Sequence, residues 1–102
     1  MLNESQNTKL AENAKQAEQF LKLLANQYRL QILCSLVAGE RSVGELESLL
    51  NISQSALSQH LAKLRESEVV ATEKKGQMVY YRLASIEANA ILSTLYLIYC
   101  KD

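Results

Sequence analysis

Proline is absent from this 102-residue chain, and glycine occurs only three times, as Gly39, Gly44 and Gly76. Both residues interrupt helices, proline by removing a backbone donor and crowding the preceding turn, glycine by the entropy of its backbone. With so few interruptions, a mostly helical protein is expected. Nor does any stretch reach the roughly 18 consecutive apolar residues of a membrane span. The opening "MLNESQNTKL" lacks the basic and apolar regions of a signal peptide, so the expected location is cytoplasmic, with no membrane partner. In that compartment disulfides are rare, which leaves redox, metal or packing roles for the only two cysteines, Cys34 and Cys100. Net charge is missing too. Eleven basic residues balance eleven acidic ones, so a nucleic-acid role must rest on local charge and motif.

What is present fits one domain over residues 1–102, with about 1–7 expected to be disordered. A chain this short buries only about two-thirds of its unfolded surface, so a dimer is a natural source of further core. Leu10, Ala14, Ala17, Leu21 and Leu24 recur at helical spacing over about residues 8–25. A second helix is expected in "NQYRLQILCSLVAG", with Leu30, Leu33 and Val37 on one face and Gly39 as its C-cap. Ser42 and Glu45 form a capping box that opens a short helix through Leu50. Ser53 N-caps the next helix, which turns Leu57, Leu61 and Leu64 inward. Then the period changes. "VVATEK" and "MVYYRL", separated by "KGQ", form a β-hairpin, and helix resumes from Ser85 to Cys100. The order α-α-α-α-β-β-α is that of a winged helix-turn-helix domain, mostly α with a β-hairpin wing.

The fourth helix has the surface chemistry of a recognition helix. Gln54, Ser55, Ser58, Gln59, Ala62 and Lys63 face outward with His60 at their flank, and no acidic residue precedes Glu66. Such small and amide-bearing groups enter a major groove and bond base edges or phosphates. From Ser53 to Leu83, five basic residues against three acidic ones leave a local charge of +2. Lys74 and Lys75 at the hairpin, with Arg82, can reach backbone phosphate. His60 has no neighbour in sequence with which to hold a metal. The last helix is apolar nearly all round, from Ile86 to Tyr99, and must be buried on more than one side. Packing on its own core and on a second copy satisfies that requirement.

"SVGELESLLNISQSALSQHLAKLRESEVVATEKKGQMVYYRL" resembles the ArsR-type bacterial winged-helix repressors, and "LANQYRLQIL" is similar to that family's LA-x-x-x-R-x-x-IL opening of the second helix. The likeness covers about residues 20–100 and is most specific in "SQSALSQHLAKLRESEVV". It implies a homodimer joined through the first and last helices, with Leu10, Leu92, Leu95, Tyr96 and Tyr99 in the seam. It also implies two recognition helices reading a palindromic operator in double-stranded DNA. The family's thiol-rich metal site would need cysteines in "RSVGELESLL", and its other site needs His on the last helix. Neither is present, so no metal and no other cofactor is expected.

At about 100° per residue, Cys100 falls on the side of Asn89 and Ser93, and Cys34 at the edge of its helix's apolar face. Partial exposure suits a reactive thiol, but no base flanks either cysteine, and the chain is not read as an enzyme. The residues alone leave open a general redox or metal response, a small thiol enzyme or sulfur carrier on a borrowed fold, or a winged helix used for protein contacts. One cysteine in an IL-C-x-L second helix and one in a Y-C ending resemble the persulfide-responsive branch of the family, the BigR/SqrR/HlyU group. That resemblance implies that reactive sulfur species join Cys34 to Cys100 through a polysulfide bridge and release DNA. One member is instead known as an antirepressor of virulence genes, so the sign of regulation stays open.

Overall fold

A computed structural model describes residues 3–100. Helix α1 (Glu4–Leu24) starts earlier than its apolar spacing suggests, because Asn3 and Gln6 build a capping box. The Gln6 amide donates to Asn3 Oδ1 at 2.8 Å and the Asn3 amide donates to Gln6 Oε1 at 3.0 Å. Helix α1 and its cap thus take in residues 3–7 of the stretch expected to be disordered, and residues 1–2 lie outside the described residues. Of α1 only Leu24 is buried, so most of this long helix stands clear of the protomer's core.

Asn26 N-caps α2 (Gln27–Ser35), accepting from the Tyr28 and Arg29 amides at 3.0 and 3.1 Å. The helix ends at Leu36, not at Gly39, because the Leu36 and Val37 amides turn back to the Leu33 and Cys34 carbonyls. Gly39 follows this turn with φ 148°, a conformation that suits glycine. The buried face of α2 is Ile32 and Leu33, with Leu36 beyond its end, while Leu30 and Val37 are only partly covered.

Ser42 opens α3 (Val43–Leu49) with the expected capping box, its Oγ accepting from the Glu45 amide at 3.1 Å. Ser53 caps α4 (Gln54–Glu66), its Oγ accepting from the Ala56 amide at 3.2 Å. Leu57, Leu61 and Leu64 of α4 are all buried, as their spacing predicts. The helix closes through Glu68 at φ 63°, which lets the Val69 amide reach the Leu64 carbonyl. Strands β2 (Val70–Lys75) and β3 (Met78–Leu83) form the hairpin around Gly76 at φ 63°. A strand absent from the sequence reading, β1 (Arg41–Ser42), pairs antiparallel with β3 and makes a three-stranded sheet of order β1-β3-β2. Last comes α5 (Ile86–Leu95), capped by Ser85, which runs into a π-helical turn over Tyr96–Cys100. The core joins Leu24, Ile32, Leu33, Leu36 and Leu46 to the α4 leucines, Val69, Val70, Ala88 and Leu92. The mostly helical winged fold expected from the sequence is the one observed.

Candidate nucleic-acid interface and thiol site

Because the leucines of α4 are drawn into the core, its opposite face is presented to solvent. Gln54, Ser55, Ser58, Gln59, Ala62 and Lys63 are all exposed, as is Arg82 on β3. Ser58 and Ala62 also line an open groove of about 450 Å³ with Val43, Arg65 and Tyr81, where α4 meets the sheet. Arg65 is exposed in the last turn of α4 and was not among the side chains singled out from the sequence, although its basic character at that place was a readable signal.

The hairpin lysines differ. Lys74 is exposed and makes no ion pair among the described residues. Lys75 is ion-paired with Glu40 at the end of the α2–β1 connection, and its Nζ lies 5.3 Å from the Tyr80 ring centroid. The hydrogen bond to Glu40 raises its pKa. Lys75 is exposed and has in Glu40 a partner within the chain that its reading as a lysine turned to phosphate does not include. His60 stacks on Tyr28 of α2, with ring centroids 6.1 Å apart and planes at 25°. Partial burial, then the positive charges of Arg29 and Lys63, lower its pKa and favour the neutral ring. Beside it Arg29, almost wholly buried, donates from Nε to the Leu23 carbonyl at 2.5 Å and from Nη2 to the Lys22 carbonyl at 3.2 Å. A guanidinium on α2 thereby caps the carbonyl end of α1.

The two thiols meet although 66 positions separate them in sequence. Cys34 and Cys100 line a common cavity of about 210 Å³ with Leu30, Gln31, Leu95 and Tyr99. Both are free thiols, Cys34 half-buried and Cys100 exposed. Burial pushes the Cys34 pKa up from its ordinary 9.0 to about 11, and the Cys100 thiol hydrogen-bonded to it adds to the rise. The expected placement of Cys100 on the Asn89–Ser93 side is corrected. Cys100 instead lines the cavity with Leu95 and Tyr99, and the chain from Tyr96 to Cys100 is wound as a π-helical turn, to which the α-helical value of about 100° per residue does not apply.

Of the expected seam residues, Leu10 and Tyr99 are exposed at 55% and 78%, and Leu95 and Tyr96 are half-covered. Leu92 is not available to a partner, because its side chain is fully buried in the protomer's own core. Leu21, Ile86, Leu97 and Ile98 are further exposed apolar side chains on α1 and the last helix.

A buried-leucine α4 with a polar outer face, flanked by a hairpin wing, defines a winged-helix DNA-binding regulator. Comparison with known proteins narrows that class. Residues 26–72 match the family described as bacterial regulatory protein, arsR family. The chain is 50% identical over 92 residues to the transcriptional activator HlyU of Vibrio cholerae, spanning 90% of this chain and 85% of that one. It is 41% identical over 93 residues to the biofilm growth-associated repressor of Xylella fastidiosa, spanning 91% and 82% of the two chains. The structure of reduced HlyU from Vibrio cholerae superposes with a TM-score of 0.86 at 49% identity, covering 91% of this chain and 98% of that one. The chain belongs to the ArsR family of transcriptional regulators. The two relatives are named as a transcriptional activator and a repressor. No helix among the described residues is long and apolar enough to cross a membrane.

Proposed function

We propose that the protein is a cytoplasmic, homodimeric repressor that senses reactive sulfur species through Cys34 and Cys100. The observation that carries this reading is the shared cavity, which sets two free thiols from distant helices against each other. The exposed apolar side chains of α1 and of the last helix support a second copy of the chain as their partner. Two-fold symmetry then sets two α4 helices against the half-sites of a palindromic operator, with Gln54, Ser55, Ser58, Gln59, His60 and Lys63 over the major groove. Lys74 and Arg82 add phosphate contacts.

The chemistry balances with a hydropersulfide, R–S–SH, as oxidant. The exposed Cys100 thiolate takes the outer sulfur and releases RS⁻, leaving Cys100–S–SH. A second transfer gives Cys100–S–S–SH. The Cys34 thiolate then attacks the middle sulfur and expels HS⁻, closing Cys100–S–S–S–Cys34. Two hydropersulfides and two cysteine thiols thus become the bridge, two RSH and one H₂S. The bridge ties α2 to the last helix, changes the disposition of the two α4 helices and lowers operator affinity. A differential of about 1–3 kcal/mol between the two states gives a five- to hundredfold change in affinity.

The test is operator binding by Cys34→Ser and Cys100→Ser. Each variant keeps its affinity and loses the response to hydropersulfide, and retention of the response in both refutes the reading. The activator named among the relatives favours a second sign of action, in which the protein displaces a silencing factor. Reporter expression that falls on deletion of the gene identifies that case.

A further inference from the structure

We infer that His60 takes up a proton when the protein binds DNA and, as imidazolium, contacts a backbone phosphate, so that operator affinity rises as pH falls. This rests on the DNA-binding reading above and adds to it the charge state in which one side chain works. His60 is the only histidine of the chain, and so the only side chain whose ordinary pKa lies between about pH 5 and 8. It stands at the edge of the exposed face of α4, half-buried beside Tyr28, while Gln59 and Lys63 are open to solvent. A recognition helix lies in the major groove with the two phosphate backbones along its rims. A side chain at the edge of the reading face is therefore placed for phosphate rather than for base edges.

The surroundings of the ring make DNA the source of its counter-charge. Facing it are the Tyr28 phenol and the Arg29 guanidinium from α2, and the Lys63 ammonium from α4 itself. Both charges are positive. Arg29 is fixed where it stands by its bonds to the Leu23 and Lys22 carbonyls. No acidic residue precedes Glu66 in α4, and neither Arg29 nor Lys63 is in an ion pair among the described residues. Burial first, then these two cations, hold the His60 pKa below its ordinary 6.5 in the free chain. A phosphodiester at the same edge offsets Arg29 and Lys63 and favours the charged ring. The proton comes from solvent, and the imidazolium then donates a charge-assisted bond to a phosphate oxygen. Because the bound form holds the proton more tightly than the free form, affinity rises as pH falls through the bound-state pKa. It levels off below the free-state pKa, and each unit between the two is worth at most about tenfold.

The experiment uses the full chain, untagged and kept reduced, with a duplex carrying the palindrome it selects from a randomised library. The single imidazole signal in proton NMR gives the His60 pKa with and without the duplex. That pKa is expected to rise by at least about one unit on DNA, and affinity to gain at least about threefold from about pH 7.5 to 5.5 at constant salt. His60→Gln keeps a donor that cannot titrate and should leave affinity flat over that range. In the wild type the slope of log affinity against log salt should also steepen at the lower pH, by up to about 0.9 for one further phosphate contact. A smaller rise in pKa, a gain that survives His60→Gln, or a salt slope that does not steepen overturns the inference and leaves the DNA-binding reading standing. Absence of salt-dependent binding to any duplex at every pH overturns both.

Discussion

Alkylation kinetics put a number on the difference between Cys34 and an ordinary thiol. Burial, with Cys100 beside it, raises the Cys34 pKa from 9.0 to about 11. At pH 7.5 this lowers its thiolate fraction about a hundredfold, from about one in thirty to about one in three thousand. The more basic thiolate is also the better nucleophile, by about six- to tenfold over such a shift at a Brønsted slope of ~0.4–0.5. The two effects leave Cys34 reacting about tenfold more slowly than an unperturbed thiol. Because only the thiolate reacts, the rate should climb about tenfold per pH unit up to about pH 10, beyond the point where an ordinary thiol has levelled off. Site-resolved mass spectrometry after iodoacetamide treatment, between about pH 6.5 and 10.5, reads this directly. In Cys100→Ser the deficit should shrink but persist, since burial is the larger cause. Alkylation of Cys34 at the rate of free cysteine, with a plateau near pH 9, would refute the reasoning.

Three further outcomes follow from the packing. Glu68→Gly should stabilise the protein by about 1 kcal/mol in urea unfolding at fixed protein concentration, because Glu68 holds φ 63°, where a β-carbon is strained. A loss of stability on that change would mean that the Glu68 side chain holds something the backbone does not reveal. Arg29→Met should destabilise by about 2–4 kcal/mol in the same assay, since two charge-assisted bonds to α1 carbonyls are lost; a change within about 0.5 kcal/mol would deny the capping role. Lys74→Ala should flatten the slope of log affinity against log salt by about one on operator DNA, while Lys75→Ala should change it by much less because Glu40 already pairs that lysine. Equal changes would return Lys75 to the phosphate-facing set.

Much of the fold was legible because its signals are local. The Ser42–Glu45 box and the Ser53 cap each act within three residues, and the leucine spacing of α4 encodes its buried face in one helix. The hairpin was readable from the change of period and the glycine between its strands. What escaped depends on partners far away in sequence. Lys75 reads as a solvated tip until the fold brings Glu40, 35 residues upstream, against it. Leu92 sits in a run so uniformly apolar that periodicity cannot say which residues serve the protomer and which face outward. Asn3 and Asn26 were readable N-caps that the apolar spacing of their helices overshadowed. The approach of the two thiols could not be derived from helical geometry, because that geometry fails over the last five described residues.

That failure gives the terminal turn a meaning of its own. In α-helical winding, Leu95 and Cys100 would stand about 140° apart around the axis. In the wider π winding each residue turns by less, and the two line one cavity. Whether the two sulfurs can converse is therefore a matter of phase, set by how tightly five residues are coiled and by nothing in the thiols themselves. Such a coil acts as a vernier. One residue added between Leu95 and Cys100, or a tightening of the turn to the ordinary pitch, would swing Cys100 away while leaving Cys34 and the DNA-facing helix where they are.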